Sequence, residues 1–424
     1  MEKDKKVTAI PKLRFPEFRN VEPWVRVPLS ELLRERKKRN RDLKFGPTQV
    51  LSVSGEHGCV NQIELLGRSY AGASVKEYHV VEKNDVVYTK SPLKRNPYGI
   101  IKENKGNPGI VSTLYAVYQV TEKGHAAYLD HLFSSDYNLN SFLQPIVRKG
   151  AKNDMKVSNS AVLTGEIWAP LITEQRKVAE CLSSLDGLIA AQRDKVETLK
   201  VYSRSLMYQL FPRDGETVPR LRFPEFSDGP EWEEEQIGDL FDMTSGGTPD
   251  RAKKEYWSGT IPWITTSLVD FNLILKADEF ISQAGLENSS AKVFPKNTVL
   301  IAMYGQGKTR GKVARLGISA ATNQACAAIL PNDKINPHFT FVNLSGRYDE
   351  LRALSNSGGQ ENLSQGLIKG LSFSYPKDIN EQLKIVDCYS TLERLVVAEN
   401  EQLEMLKIHK ESLLQRLIPS VKDN

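Results

Sequence analysis

Residues 174–212 read EQRKVAECLSSLDGLIAAQRDKVETLKVYSRSLMYQLFP, and residues 381–419 read EQLKIVDCYSTLERLVVAENEQLEMLKIHKESLLQRLIP. The two stretches align without a gap and share a Glu-Gln pair at the start, a cysteine and a final proline. Neither has an internal proline, and Gly187 alone interrupts the first copy. Each stretch therefore predicts one long helix, about 55 Å in length, that ends at its proline.

The apolar residues of both stretches recur alternately three and four positions apart, which is the spacing of a coiled-coil seam. The two seams are Val178, Leu182, Leu185, Ile189, Gln192, Val196, Leu199, Ser203, Leu206 and Leu210, and Ile385, Tyr389, Leu392, Val396, Glu399, Leu403, Leu406, Lys410, Leu413 and Leu417. Both seams turn polar at the same two places, which can fix the register of a pair. We predict that the two helices pack together as a rigid spacer; unrelated amphipathic surface helices are the alternative.

A second repeated segment precedes each globular region. Residues 11–18 (PKLRFPEF) return as residues 219–226 (PRLRFPEF), and Trp24 returns as Trp232. The chain therefore reads as two tandem halves, each with a leader, a globular head and a long helix. We predict a leader and first head over 1–170, a spacer helix over 171–212, a linker and second leader over 213–226, a second head over 227–376, and a second spacer helix with a tail over 377–424.

The heads combine short β-type runs with short helical patterns, so we predict an α+β fold for each. Strands are expected at residues 85–89, 109–118, 298–303 and 325–330, and helices at 125–142 and 337–354. The two heads share little sequence outside the leader and the approach to the helix. Two similar scaffolds that carry different heads suggest two targets read at a fixed separation.

Composition excludes several classes of protein. The chain has no apolar run near the ~18 residues that span a bilayer, and its first residues, MEKDKKVTAI, lack the apolar core of a secretory signal. Its four cysteines are scattered and form no Cys-x-x-Cys motif, which indicates a reducing cytoplasm and disfavours a zinc site or disulfides. The net charge of +5 does not by itself identify a polyanionic partner.

Motifs for catalysis or cofactor binding are missing from the sequence. No glycine-rich dinucleotide or S-adenosylmethionine fingerprint follows a strand. Residues 305–309 (GQGKT) resemble a phosphate loop, but Ala302 stands where its first glycine belongs. The six histidines form no metal-binding motif. We therefore expect no catalytic residues, no metal site and no cofactor on this chain.

Basic residues cluster in loops of both heads. Residues 34–41 (RERKKRNR) form a dense cationic run, and another follows residue 90. In the second head, residues 308–312 (KTRGK) lie in a glycine-rich loop close in sequence to amide and hydroxyl side chains. Lysine and arginine bind phosphates, whereas Gln, Asn, Thr and Tyr can reach base edges, so these loops are typical of DNA binding. A solvated surface neutralised by neighbouring acids is the alternative for each run.

Several motifs resemble the specificity (S) subunit of type I restriction-modification systems. Residues 170–178 (PLITEQRKV) and 376–385 (PKDINEQLKI) resemble the family's motif at the start of each long helix. Residues 12–18 and the tryptophan after them resemble its common leader. The resemblance covers essentially the whole chain.

The second head resembles the family's target-recognition domain more closely than the first. Residues 246–249 (GGTP), 256–264 (YWSGTIPWI), 307–314 and 322–324 (TNQ) resemble that domain, and residues 360–364 (QENLS) resemble the segment that closes it. The first head matches at residues 84–90 and 109–113 but lacks the Gly-Gly-Thr-Pro motif.

The resemblance implies two target-recognition domains held apart by two long helices that pack as an antiparallel coiled coil, with a pseudo-two-fold internal repeat. It implies a non-catalytic subunit that reads a split target in double-stranded DNA with a fixed gap. Two methyltransferase subunits would supply S-adenosylmethionine, and restriction subunits would use ATP and Mg to translocate and cleave DNA. No membrane partner is implied.

On these grounds we predict the DNA-contacting residues of each head. They are Lys90, Arg95 and Tyr98 in the first head, and Tyr304, Gln306, Lys308, Thr309, Arg310, Lys312, Asn323 and Gln324 in the second. Two other hypotheses remain: a nuclease or methyltransferase with duplicated DNA-binding heads, and a scaffold that joins two protein-binding domains.

Overall fold

The computed structural model describes residues 7–149, 155–213, 215–305, 308–354 and 362–421. The chain divides into two units that do not follow chain order. Unit 1 comprises Met1–Arg193 and Glu401–Asn424, and unit 2 comprises Asp194–Asn400. Each unit therefore contains one head, the first part of the helix that follows this head and the last part of the other long helix.

The first half of the chain contains thirteen strands and five α-helices among its described residues. The strands are β1 (Thr8–Ala9), β2 (Trp24–Pro28), β3 (Leu33–Glu35), β4 (Leu51–Ser54), β5 (Gly58–Asn61), β6 (His79–Val81), β7 (Val86–Thr89), β8 (Ile100–Glu103), β9 (Gly109–Val111), β10 (Tyr115–Val120), β11 (Arg148–Lys149), β12 (Met155–Lys156) and β13 (Glu166–Ala169). The helices are α1 (Gln62–Leu66), α2 (Ala126–Leu132), α3 (Asp136–Leu143), α4 (Asn159–Val162) and the long α5 (Ile172–Leu210).

The second half has a similar plan. Its strands are β14 (Glu233–Gln236), β15 (Met243–Ser245), β16 (Ile261–Ile264), β17 (Asn272–Ile274), β18 (Glu279–Ile281), β19 (Val293–Phe294), β20 (Val299–Ala302), β21 (Val313–Leu316), β22 (Ala320–Thr322), β23 (Cys326–Ile329) and β24 (Ser372–Tyr375). Its helices are α6 (Ile237–Leu240), α7 (Gln283–Glu287), α8 (Pro337–Gly346), α9 (Tyr348–Ala353), α10 (Gln365–Lys369) and the long α11 (Ile379–Leu417).

The predicted α+β heads are confirmed, although three predicted elements are each divided in two. The expected strand over residues 109–118 becomes β9 and β10, because a turn closed by the Tyr115 N–H and the Ser112 carbonyl separates them. The expected helix over residues 125–142 becomes α2 and α3, since the Ser135 hydroxyl caps a new helix by accepting from Asn138 N. The expected helix over residues 337–354 likewise becomes α8 and α9.

The two predicted long helices are confirmed as α5 and α11, each of 39 residues. All the predicted seam residues are described, and each is buried or half-buried. In unit 1, Leu182 shares a core with Leu414 and Leu417, and the Lys410 ammonium pairs with the carboxylate of Asp186. Residues further along α5 thus meet residues earlier in α11, so these segments run antiparallel.

The helix segments of unit 2 follow the same rule. Met207 and Leu210 of α5 share a core with Ile385 of α11, and Lys195 Nζ lies 2.7 Å from Glu399 Oε1. These segments are also antiparallel. Of the four seam positions that the sequence marks as polar, the two charged ones, Glu399 and Lys410, each carry an ion pair to α5.

The repeated leader docks on the start of the helix that belongs to its own half. In unit 1, Arg14 Nε and Nη2 donate to the two carboxylate oxygens of Glu174, each at 2.8 Å, and the pair is nearly fully buried. In unit 2, Arg222 binds Glu381 with the same two distances. Bidentate arginine–carboxylate pairs are strong and directional, so they fix the leader against the helix.

The glutamine that follows each of these glutamates fixes the head to the same helix. Gln175 Nε2 donates to the carbonyls of Lys123 and Pro170, both at 2.9 Å, and its Oε1 accepts from His125 N at 3.0 Å. Gln382 makes the equivalent three bonds in unit 2. The duplicated Glu-Gln motif therefore has a structural reason within each unit: it joins leader, head and helix.

Candidate nucleic-acid interface

The two heads contain sheets with the same strand order. The first head has the order β3-β10-β7-β8, and the second has β15-β23-β20-β21 with β17 added at its end. All the shared neighbours pair antiparallel. A small antiparallel pair, β6-β9 or β19-β22, completes the correspondence. Matching connections between these strands can therefore be compared directly.

Three such connections carry the polar residues of interest. We name them the edge loop (residues 36–41 after β3, and 246–249 after β15), the hairpin loop (90–99 between β7 and β8, and 303–312 between β20 and β21) and the short turn (112–114, and 323–325). Ten of the eleven sequence-predicted DNA contacts lie in the described part of a hairpin loop or short turn. The eleventh, Gln306, lies outside the described residues, as do Gly307, Gln360 and Glu361 of the motifs quoted above.

The hairpin loop of the second head presents exposed polar groups on a fixed base. Tyr304 is 39% exposed and Lys308 is exposed. The Lys308 carbonyl accepts from the Tyr348 hydroxyl at 2.6 Å, which ties the loop to α9. Gly305 has a φ of 143°, and a β-carbon there would lie 2.8 Å from Thr309 Cβ. Thr309 is therefore half-buried against the loop backbone rather than extended into solvent.

Two cations of this loop are only partly open to solvent. Lys312 Nζ lies 2.6 Å from Asp270 Oδ1, and its side chain is 21% exposed. Arg310 is half-buried. Lys308 is consequently the most open cation among the described residues of the predicted set in this head.

The edge loop and the short turn of the second head form one surface. Thr248 Oγ1 donates to Gln324 Oε1 at 2.5 Å. Gly247 N donates to the Thr322 carbonyl at 2.8 Å, and a β-carbon at Gly246 would lie 1.9 Å from this same oxygen. Gly246 is required because the loop backbone lies directly against the end of β22, and Gly247 is required because a β-carbon there would lie 2.2 Å from Ser290 Oγ. Asn323 accepts from Ala325 N at 3.1 Å, which shapes the turn and leaves Gln324 exposed.

Aromatic stacking supports the edge loop from behind. Trp263 Nε1 donates to the Gly247 carbonyl at 3.0 Å. The guanidinium of Arg251 lies 3.6 Å from the ring centroid of Trp257. Two of its nitrogens donate to the carboxylate of Glu279, which orients it. The motif at residues 256–264 therefore contributes a rigid support for the loop.

The first head divides its predicted residues between different surroundings. Lys90 Nζ donates to Asn159 Oδ1 at 2.9 Å, and burial lowers the pKa of Lys90 below its ordinary value. Arg95 is exposed, and its carbonyl accepts from Asn140 of α3. The Tyr98 carbonyl accepts from the Tyr88 hydroxyl at 2.7 Å, and Tyr98 packs on the core.

A cavity of about 320 Å³ lies beside the edge loop of the first head. It is lined by Glu35, Lys37, Arg39, Arg41 and His79. The cationic run at residues 34–41 was the sequence signal for it. His79 gave no signal, because the backbone bridge between Arg39 and His79 joins residues forty positions apart. We therefore find a candidate contact surface in each head, built around the edge loop.

Other kinds of site receive no support from the residues that the structure describes. Within the described ranges, no group of three or more His, Cys, Asp or Glu side chains could hold a metal ion. The described helices also include none that is long and apolar enough to cross a membrane.

These observations define a two-headed protein in which similar α+β heads are anchored on long paired helices. Residues 230–407 match the family model described as the type I restriction modification DNA specificity domain. The matched segment includes the second head and most of α11, and it is similar to that domain family.

Individual specificity subunits are similar to part of this chain. The chain is 25% identical over 185 residues to the specificity subunit of the type I restriction enzyme MjaIX from Methanocaldococcus jannaschii, which covers 42% of this chain and 41% of that protein. It is 30% identical over 179 residues to a type I restriction enzyme specificity subunit from Escherichia coli, covering 41% of this chain and 43% of that protein. Each match thus spans less than half the length of the relative.

Solved structures extend the similarity in fold to nearly the whole chain. The S subunit of a type I restriction-modification system from M. genitalium matches with a TM-score of 0.55 and 15% identity, covering 97% of this chain and 99% of that one. A chain from a structure of type I restriction-modification complex assembly matches with a TM-score of 0.58 and 17% identity, covering 93% and 97%. At these identities the likeness concerns the fold.

Proposed function

We propose that this chain is the DNA-recognition subunit of a type I restriction-modification complex and has no catalytic site of its own. The observation that carries the proposal is the joined surface of Thr248 and Gln324 inside the segment that matches the DNA specificity domain. It presents an exposed amide beside the cationic hairpin loop. Amides can bind adenine bidentately, and lysines bind phosphates, so one surface offers both base and backbone contacts.

The target would be bipartite, with one half read by each head. Two features support this step: the heads share a sheet order, and their loops differ in sequence at every matching connection. Heads that are similar in scaffold and different in loops are suited to two different half-sites in double-stranded DNA. The long helices would then set a fixed gap between the half-sites.

The partners would supply the chemistry. We expect two methyltransferase subunits that bring S-adenosylmethionine, and restriction subunits that use ATP and Mg to translocate and cleave DNA. DNA contact by the described residues that we assign to it would require no cofactor. A complex that acts on the chromosome in this way would work in the cytoplasm.

The experiment is co-expression of the full chain with its cognate methyltransferase subunit, in a host without adenine methylation, followed by modified-base sequencing. We expect methylated adenines in a split motif of two short half-sites with a constant gap. A chain whose second head is exchanged for that of a different specificity subunit should change one half-site and keep the other.

Other outcomes would decide between the alternatives. A continuous motif would contradict the bipartite target. Methylation or cleavage by the purified chain alone would show an enzyme with duplicated heads. A chain that forms no complex with the methyltransferase subunit and binds no duplex DNA would favour the protein-binding scaffold, since true DNA binding weakens steeply with added salt.

A further inference from the structure

The cavity beside the edge loop of the first head was not part of the sequence-predicted contact set. Three of its five lining residues, Lys37, Arg39 and Arg41, are cations from one run. Arg39 is oriented by the segment before β6, since Arg39 Nη1 donates to the Glu77 carbonyl at 2.7 Å. Lys37 and Arg41 are exposed. Glu77 Oε1 lies 3.9 Å from Arg41 Nε and offsets part of this charge. The rim of the cavity is therefore positive and open to a large anionic ligand.

His79 adds a buried polar atom that the head does not use. Its side chain is only 3% exposed, it lines the cavity, and its Nδ1 has no hydrogen-bond partner among the described residues. Burial, aided by the nearby charge of Arg39, lowers the pKa of His79 to about 4. The imidazole is therefore neutral at neutral pH. A buried polar atom without a partner is unfavourable unless a ligand or water completes it.

Glu35 is a carboxylate fixed among these cations. Asn159 Nδ2 donates to Glu35 Oε1 at 2.7 Å, and Asn159 Oδ1 accepts from Lys90 Nζ. The predicted contact Lys90 is thus connected to the cavity through Asn159. A carboxylate beside the cavity disfavours a phosphate at that point, and it accepts readily from an amino group. The lining therefore separates into a cationic rim and a hydrogen-bonding part.

The position of the cavity in the fold matches the surface of the second head. The edge loop of the first head follows β3, and the edge loop of the second head follows β15, the counterpart of β3. The loop after β15 holds Thr248 against Gln324. In one head this connection carries glycines and hydroxyls, and in the other it carries cations around a cavity. The same connection is available for contact in both heads.

We propose, on the basis of the proposed function, that this cavity is the DNA-reading site of the first head. Lys37, Arg39 and Arg41 bind backbone phosphates at its rim. Glu35 contacts the edge of a base that carries an exocyclic amino group, cytosine or adenine, beside the neutral ring of His79 in the cavity lining. This assigns base reading in the first head to Glu35, and it gives Lys90 a positioning role through Asn159.

The test uses the full chain in complex with its methyltransferase subunit and compares three variants. Lys37→Ala removes an exposed rim cation, and Lys38→Ala is the matched control: Lys38 is adjacent, exposed and outside the cavity, 3.9 Å from Glu82. Glu35→Gln keeps the side-chain shape and an oxygen for Asn159 but removes the carboxylate. The measurements are the methylated motif and the binding of duplex DNA as a function of salt.

We expect Lys37→Ala to weaken binding of all sequences alike and to lower the slope of log affinity against log salt by about 1. Lys38→Ala should leave the slope unchanged. Glu35→Gln should relax one position of a single half-site, with a roughly 5- to 150-fold loss of discrimination at that position. The other half-site should be unaffected.

The inference and the proposed function fail in distinguishable ways. If the parent complex gives a split motif and Glu35→Gln leaves both half-sites unchanged, the cavity does not read a base and this inference is wrong. If Lys37→Ala and Lys38→Ala change the slope equally, the rim assignment is wrong. If the parent complex itself gives no motif and does not bind duplex DNA, the proposed function has failed.

Discussion

The two heads share a sheet but differ in what they place on it. Both use the same order of four antiparallel strands, and both leave the same three connections for polar residues. The second head closes its edge loop tightly against β22 at Gly246, whereas the first head has cations beside a cavity at this place. The position of the edge loop is therefore common to both heads, whereas the side chains that it carries are specific to each head.

The anchoring of the heads shows the opposite pattern, with near identity and one informative exception. Trp232 Nε1 donates to Glu381 Oε1 at 3.1 Å, so the carboxylate of unit 2 has an extra donor. The equivalent indole nitrogen of Trp24 is buried, and within the part of the chain that the structure describes it has no partner. The same residue types therefore give slightly different bonding in the two units.

The largest expected effect comes from breaking the two leader–helix ion pairs. Arg14→Ala leaves Glu174, which is 1% exposed, as a buried charge without its cation, and should cost unit 1 about 3–5 kcal/mol. Arg222→Ala should cost unit 2 less, because Trp232 still donates to Glu381. Denaturant-dependent hydrogen exchange, read separately in peptides of each unit, measures both local free energies of unfolding.

Exposed lysines of the same motif provide matched controls. Lys177 lies 3.4 Å from Glu17, and Lys384 lies 3.0 Å from Glu225, with all four side chains well exposed. Replacing either lysine by alanine should change stability by less than about 1 kcal/mol. Equal losses for arginine and lysine variants would contradict the assigned importance of the buried pairs.

A pH dependence should distinguish the heads next. Burial and the charge of Asp130 raise the pKa of Glu103, the last residue of β8, from its ordinary 4.5 to about 7. The matching strand of the second head, β21, ends in Leu316, which does not titrate. The carboxyl of Glu103 binds its proton more tightly in the folded first head than in the unfolded chain. Its contribution to the free energy of unfolding is therefore favourable below pH 4.5 and is lost as the pH rises through 7. Glu103→Gln should stabilise the first head by up to about 3 kcal/mol at pH 8.

The measurement is the unfolding free energy of first-head peptides at pH 5 and pH 8. The gain from Glu103→Gln should shrink strongly at pH 5, where the carboxyl is already protonated in the folded head. Peptides of the second head serve as an internal control and should not respond to the substitution. A gain of equal size at both pH values would show that ionisation of Glu103 is not its cause.

Substitutions in the second-head loops should separate base contacts from phosphate contacts. Gln324→Ala should cost roughly 1–3 kcal/mol at one target position, and we expect the same for Gln306→Ala. Lys308→Ala should weaken binding to all sequences and lower the salt slope by about 1. Motif analysis and salt titration check these results, and unchanged recognition in all three variants would contradict the assignment of this surface.

The smallest effects are expected in the paired helices. Lys195 is 55% exposed and pairs with Glu399, so Lys195→Ala should destabilise unit 2 by roughly 0.5 kcal/mol. Lys410 is 21% exposed and pairs with Asp186, so Lys410→Ala should cost unit 1 more. Hydrogen exchange in the two helix segments compares them. A larger loss for Lys195→Ala would show that burial does not govern the strength of these pairs.

Much of the fold could be predicted because it depends on local spacing. The three-four repeat predicted α5 and α11 and their buried positions, since residues that recur every seven positions lie on the same face of a coiled-coil helix. Runs of β-type residues predicted β7, β20 and β23. The divisions between α2 and α3 and between β9 and β10 were missed, because single capping and turn bonds decide them. The predicted DNA contacts remain predictions.

The sequence by itself determined the two long helices, the repeated halves, the α+β character of the heads and the loops rich in cations. These properties follow from periodicity, from proline and glycine positions and from residue type, all of which act over a few residues. The tertiary structure alone decided which distant groups meet. Arg14 meets Glu174, Thr248 meets Gln324, and His79 meets the cationic edge loop, because burial and strand pairing bring together residues that sequence spacing does not relate.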